Sequence, residues 1–183
     1  KMQTEKLIFP AIPHLMEIFD LVRKGRHIAP EDTGIYFDLQ TNEAALTELF
    51  TQLGFELKHH QRGFYYFKGD TAISDTSSKM AVFMFILVES IADAGVSPEE
   101  QVMTAVFPIE NLEHLRRERY RAIMQEAGMP TEEELRQTLR TMERFGFLKM
   151  EGADAFRFKA PAYRFLDLCM DIFKENEAVE SNP

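Results

Sequence analysis

One pattern of residues occurs twice in this chain. Phe50, Leu53, Gly54, Phe55, Gly63, Phe64 and Tyr66 return ninety-two positions later as Met142, Phe145, Gly146, Phe147, Ala155, Phe156 and Phe158. Each copy reads as the apolar end of a helix, a Gly where a left-handed C-cap favours one, an apolar residue entering a strand, a polar turn and an aromatic strand. Helices that close on a β-hairpin are the ending of a winged helix. The expected fold class is therefore mainly α with small β-hairpin wings, a tandem of two winged-helix domains. Residues 1–75 form the first, 76–175 the second with additional helices, and 176–183 an acidic disordered tail.

Periodicity fills in the elements before each hairpin. Ile12, Leu15, Ile18, Phe19 and Val22 recur at spacings of three and four, which predicts an amphipathic helix ending near Gly25. A short strand is expected after Arg26, a helix from Pro30, a turn over Asp38 to Thr41, and a helix from Asn42 that Gly54 stops. Asp70 to Lys79, rich in Ser, Thr and Asp with no apolar rhythm, reads as the linker. From about Ser78 to Ala94 the chain is apolar on most of a helical circumference, as a helix packed between layers is. Ser97-Pro-Glu-Glu and Thr131-Glu-Glu-Glu are helix starts with capping-box spacing. Phe107-Pro-Ile reads as a short extended piece, Leu112 to Glu126 as one helix, and Pro161 as the start of the last.

Composition narrows the function. With 45% apolar residues, including 16 Phe and 10 Met, the chain can fill a core. Lone Cys169 allows no internal disulfide, no Cys/His spacing reads as a zinc site, and the longest apolar stretch, Met80 to Val88, is too short to cross a bilayer. A cytoplasmic protein without a membrane partner is expected. Nucleotide-binding, metalloprotease and serine-hydrolase motifs are all missing, so no cofactor and no enzymatic activity are expected. The net charge of −9 is spread along both halves and opposes a protein that grips DNA over its whole surface.

Local basic faces remain. Arg136, Arg140 and Arg144 share a stripe on the third helix of the second unit, the element that winged helices can bring to a DNA groove. Lys149, Arg157 and Lys159 add charge on the adjacent wing, so these six are the candidate DNA-phosphate contacts. The competing reading is a solvated face paired with Glu132, Glu133 and Glu143. Arg116, Arg117, Arg119 and Arg121 point to several sides of a helix and suit pairing with Glu113 and Glu118. Arg23, Lys24, Arg26 and His27 complement a helix C-terminus. His59 and His60, neighbours in a strand, point to opposite faces and make a poor metal pair. In Phe64-Tyr-Tyr-Phe, alternation buries either Phe64 and Tyr66 or Tyr65 and Phe67 and exposes the other pair.

The stretches Ile18-Phe-Asp-Leu-Val-Arg-Lys-Gly-Arg-His, Leu53-Gly-Phe-Glu-Leu, Arg62-Gly-Phe-Tyr-Tyr-Phe, Glu143-Arg-Phe-Gly-Phe-Leu and Arg164-Phe-Leu-Asp-Leu resemble the MksE family and its MukE relatives. These are the small kite subunits of bacterial MksBEF- and MukBEF-type SMC condensins. The resemblance implies a homodimeric, non-catalytic subunit that binds a kleisin of the MksF type and, through it, an SMC ATPase of the MksB type. It implies a nucleoid-associated role in chromosome organisation and segregation, with DNA touched only in the assembled complex. Tyr65 and Phe67, if exposed, suit a dimer or kleisin contact. The alternative from another class is a free-standing winged-helix transcriptional regulator, which needs base-reading side chains and more positive charge than this chain carries.

Overall fold

Helix starts follow the local chemistry. A computed structural model describes residues 11–69 and 74–180, with side chains through Ile172. In the first half, α1 (Leu15–Arg23) leads through a bridge residue, Ile28, to α2 (Thr33–Thr41) and α3 (Glu43–Gln52). The hairpin of β1 (Leu57–His59) and β2 (Tyr65–Phe67) follows, Leu57 opposite Phe67. In the second half, α4 (Asp75–Asp93) precedes α5 (Pro98–Thr104), β3 (Phe107–Pro108), α6 (Glu118–Glu126) and α7 (Glu132–Arg144). Strands β4 (Leu148–Glu151) and β5 (Ala155–Phe158) then form the second hairpin, and α8 (Tyr163–Glu180) closes the chain. The hydroxyl of Ser97 accepts the Glu100 N–H at 3.5 Å, and Thr131 and Glu134 close a capping box that opens α7. The molecule is thus mainly helical with small antiparallel hairpins, a winged-helix-like arrangement.

The duplication extends beyond the hairpins. In the second half the sheet order is β3-β5-β4, with Phe107 opposite Phe156. In the first half Ile28 bridges Tyr65 antiparallel, taking the place of β3. Both halves therefore run helix, short strand, two helices and hairpin, the short strand returning to pair with the last. The apolar core falls into two clusters that follow this division. One gathers Ile18, Val22, Leu39, Leu46 and Phe50; the other surrounds α4 with Phe83, Met84, Leu87, Leu139, Met142 and Phe156.

In the wings the repeat slips by one residue. The helices and Gly54/Gly146 repeat at ninety-two, yet the strand pairing repeats at ninety-one: Ile28–Tyr65 corresponds to Phe107–Phe156, and Leu57–Phe67 to Leu148–Phe158. Strand side chains alternate, so a one-residue slip turns the other face inward. Tyr65 and Phe67 face the first core, where the buried Tyr65 hydroxyl donates to Glu43 Oε2 at 2.6 Å and Phe67 stacks on Phe55. The expectation that one alternate pair is exposed fails. Tyr65 is a core residue, and Phe64 on the opposite face is also buried, with the His27 and His60 rings against it.

Four boundaries also differ from expectation. The segment 38–41 is helical, and only Asn42 separates α2 from α3. Leu112 to Glu126 is not one helix: a 3-10 turn at Glu113–Leu115 precedes α6. That turn places His114 in the core, stacked on Phe83 at 4.4 Å with Nε2 2.8 Å from the Phe83 carbonyl. The linker narrows, since α4 begins at Asp75 behind an N-cap from Ser74, whose Oγ accepts the Ser77 N–H at 3.1 Å. Residues 70–73 lie outside the described residues. At the other end α8 continues through Glu180, so helix replaces most of the expected disordered tail; residues 181–183 lie outside the described residues.

Candidate functional site

The two halves meet at His27. Its backbone N–H donates to the Phe145 carbonyl at 2.9 Å, and its ring lies 4.5 Å from that of Phe147. Nδ1 sits 3.0 Å from the same carbonyl and Nε2 2.7 Å from Arg164 Nη1. A guanidinium only donates, so Nε2 accepts and Nδ1 carries the hydrogen. Burial, and then the Arg164 charge, push the His27 pKa down to about 3, which keeps this tautomer neutral. Gly146 fits here for want of a side chain: at φ +83 a Cβ would lie 2.4 Å from the His27 carbonyl oxygen.

Beside this junction a cleft of about 730 Å³ opens between the 30–32 turn of the first half and α7, β4 and β5 of the second. Five of the six candidate phosphate contacts line it: Arg140, Arg144, Lys149, Arg157 and Lys159. Arg26 from the first half joins them, against the carboxylates Glu31, Asp32 and Glu143. Lys149 and Arg157 are directly opposed on the outward face of the β4–β5 hairpin. Like charges so placed oppose folding, and one carboxylate, Glu151, relieves them by pairing with Arg157 at 2.7 Å.

The cations of the cleft are not equivalent. Lys159 Nζ is buried and lies 2.9 Å from both oxygens of Asp32, which also accepts from Arg26 at 3.1 Å and from the Ala29 N–H at 2.9 Å. Burial raises the Asp32 pKa, but the Ala29 N–H and Lys159 outweigh it, and the carboxyl stays below its ordinary range. Lys159 therefore ties the second wing to the first half and is not free for phosphate. Arg140 pairs with Glu133 at 2.8 Å. Arg144 and Lys149 are exposed and make no ion pair among the described residues.

Arg136 stands apart. It lies at the wing tip, where it pairs with Glu132 at 2.7 Å and with Asp154 at 3.0 Å and donates to the Ala153 carbonyl. The Glu132 bond leads in holding its pKa above the ordinary value. The solvated-pair reading thus describes Arg136 and Arg140, while Glu143 accepts from the Met150 N–H and leaves Arg144 unpaired. In the run after Leu115, Arg117 pairs with Glu113 and Asp93 and Arg119 with Glu89. His59 and His60 stack on Tyr65 and Phe64, on opposite faces of the wing. Sequence reasoning missed Arg26, His27 and Arg164 as junction residues. Their partners lie more than a hundred positions away, and no local spacing carries that signal.

Two winged-helix-like halves, held together at a buried histidine and lining one cation-rich cleft, define a tandem protein. The model of condensin complex protein MksE matches residues 13–170, and the chain belongs to that family. It is accordingly a bacterial condensin complex subunit. None of the curated proteins compared with it matches. No single helix among the described residues is long and apolar enough to cross a membrane.

Proposed function

We propose that this chain is the non-catalytic, kleisin-binding subunit of a bacterial SMC condensin, acting on the nucleoid in chromosome organisation and segregation. It works as a homodimer of protomers with two winged-helix domains, 1–75 and 76–175, and binds an MksF-like kleisin and, through it, an MksB-like ATPase. In the assembled complex its cleft contacts DNA backbone phosphate. Membership of the MksE family supports the complex, and the observation that carries the DNA contact is the cleft itself. Arg144 and Lys149 are exposed there, without carboxylate partners among the described residues, in a chain of net charge −9. Of the original six candidates, these two are the phosphate contacts, with Arg140 and Arg157 contributing once their surface pairs exchange; exposed pairs contribute only about 0–1 kcal/mol, so that exchange costs little. Each phosphate neutralised releases condensed counterions, so the contact is salt-dependent and indifferent to sequence.

The test is DNA retention by the reconstituted complex across a salt series. Arg144→Glu with Lys149→Glu should release DNA at lower salt and reduce the slope of log affinity against log salt by about 2, with complex assembly intact. Unchanged retention removes the DNA contact, and failure of the wild-type chain to enter the complex removes the kleisin reading. Tight, sequence-specific duplex binding by the isolated chain would favour the transcriptional regulator instead.

A further inference from the structure

A second concave surface follows α8. Its first section, about 340 Å³, lies at the junction of the halves between Met80 on α4, Phe145 and Arg164. Its second, about 200 Å³, lies between Val82 on α4, Ile123 on α6 and Ile172, and every residue lining it is apolar. Phe165 and Leu168 line both sections, so the two form one groove along α8. Leu168 is 53% and Ile172 39% exposed, one helical turn apart on the same face. An apolar stripe left facing water beside α4 is the shape that receives another helix.

Charge identifies what fits. At the junction end, the Arg164 guanidinium is fixed by His27 Nε2 at 2.7 Å and by the Tyr66 ring, 4.4 Å from its centroid. Among the described residues no carboxylate pairs with it. The groove thus offers apolar contact along its length and a positioned cation at one end. From Arg164 to Ile172 is eight residues, about 12 Å of helix rise, enough for about two turns of a partner with apolar anchors at i, i+3 or i+4, and i+7.

We infer that the α4–α8 groove receives a short amphipathic helix of the kleisin, apolar on one face and carrying a carboxylate at the end that meets Arg164. This rests on the kleisin-binding reading above and assigns its surface. A guanidinium held in place on both sides loses little freedom on meeting a carboxylate, so it fixes the direction in which the helix lies.

The experiment uses the full chain and a full-length MksF-like kleisin, with affinity measured by calorimetry. Leu168→Glu and Ile172→Glu replace exposed side chains, and circular dichroism melts should match the wild type. Each should weaken kleisin binding at least about 30-fold, as charges set into an apolar contact do. Arg164→Gln should weaken it about 3–10-fold and flatten its salt dependence. Leu53→Glu, at an exposed apolar position outside the groove, should leave it unchanged. Kleisin affinity that survives both Leu168→Glu and Ile172→Glu overturns the groove assignment and leaves the kleisin reading standing. A wild-type chain that binds no kleisin overturns both. Self-association of the chain alone, abolished by Leu168→Glu while kleisin binding persists, assigns the groove to a second copy and overturns the proposal.

Discussion

Gly54 and Gly146 hold equivalent places in the duplicated pattern, yet alanine should be tolerated at one and not at the other. Both sit in the left-handed region, at φ +84 and +83, where an L side chain costs about 1–2 kcal/mol. At Gly54 nothing lies within 4 Å of the added Cβ, so Gly54→Ala should cost about 1 kcal/mol after the reduced freedom of the unfolded chain is allowed for. At Gly146 the same Cβ meets the His27 carbonyl oxygen at 2.4 Å. A backbone atom cannot rotate aside, so relief requires His27 and Phe145 to separate. That breaks the 2.9 Å backbone bond and the 3.0 Å ring bond between them and leaves buried donors unmet, at about 1–3 kcal/mol each. Gly146→Ala should therefore cost about 4 kcal/mol, about 3 kcal/mol more than its twin. With no Trp in the chain, urea unfolding followed by circular dichroism is the assay. In thermal melts the difference is about 6–12 °C for a protein of this size. Equal destabilisation, within 1 kcal/mol, would refute the claim that Gly146 is required by the junction rather than by the C-cap alone.

Acid should weaken the fold through two buried imidazoles. Burial, helped by Arg164, takes His27 down to about 3, and burial takes His114 to about 4, whereas both titrate near 6.5 when unfolded. The folded state holds them neutral, so their contribution is complete above about pH 7. It falls as pH drops below about 6.5, by about 1.4 kcal/mol per pH unit for each histidine, and levels off only below the folded values. Urea midpoints across pH 7 to 5 check this, and His27→Asn should halve the slope. Lys159→Met leaves the Asp32 charge with Arg26 and the Ala29 N–H only and should cost about 3 kcal/mol in the same assay, whereas Arg136→Ala, beside the exposed wing tip, should cost under about 1 kcal/mol. Tyr65→Phe removes the hydroxyl bonded to Glu43 and should cost about 1 kcal/mol without altering kleisin affinity. Burial lifts the Cys169 thiol to about 11, so a thiol reagent at pH 8 should label it far more slowly than an unhindered thiol.

Local rules made much of the fold legible. The caps at Ser97 and Thr131, the all-round apolar α4 and the Gly at the end of each third helix are decided within a few residues of themselves, and the structure holds them as expected. The short strand after Arg26 and the extended piece at Phe107 were also readable, though not that each would pair with the last strand of its own half. What local pattern could not give is which face of the first wing turns inward. Phe64-Tyr-Tyr-Phe is apolar at every position, so alternation has no polar residue to select a face. The choice falls to long-range partners: Ile28 pairing with Tyr65, and His27 and Arg164 arriving on the other side. The arginine stripe failed for a related reason. Helical spacing put Arg136 beside Arg140 and Arg144, but the wing tip supplies Asp154 and the Ala153 carbonyl, which hold Arg136 away from the cleft.

The one-residue slip also divides labour between two halves of the same topology. In the first wing, Phe64 and Tyr66 turn outward and are covered, and that face becomes the seat for His27 and Arg164. In the second wing Phe156 and Phe158 turn inward, so the outward face is left to Lys149 and Arg157. Had both wings kept the ninety-two-residue register, Tyr66 would face its own core as Phe158 does, and the junction would lose the ring on which Arg164 rests. Arg164 would then have no fixed position at the end of the α4–α8 groove. The slip thus makes the outward face of one wing an internal joint and leaves that of the other open, and the direction of any helix in the groove depends on a residue that the joint holds in place.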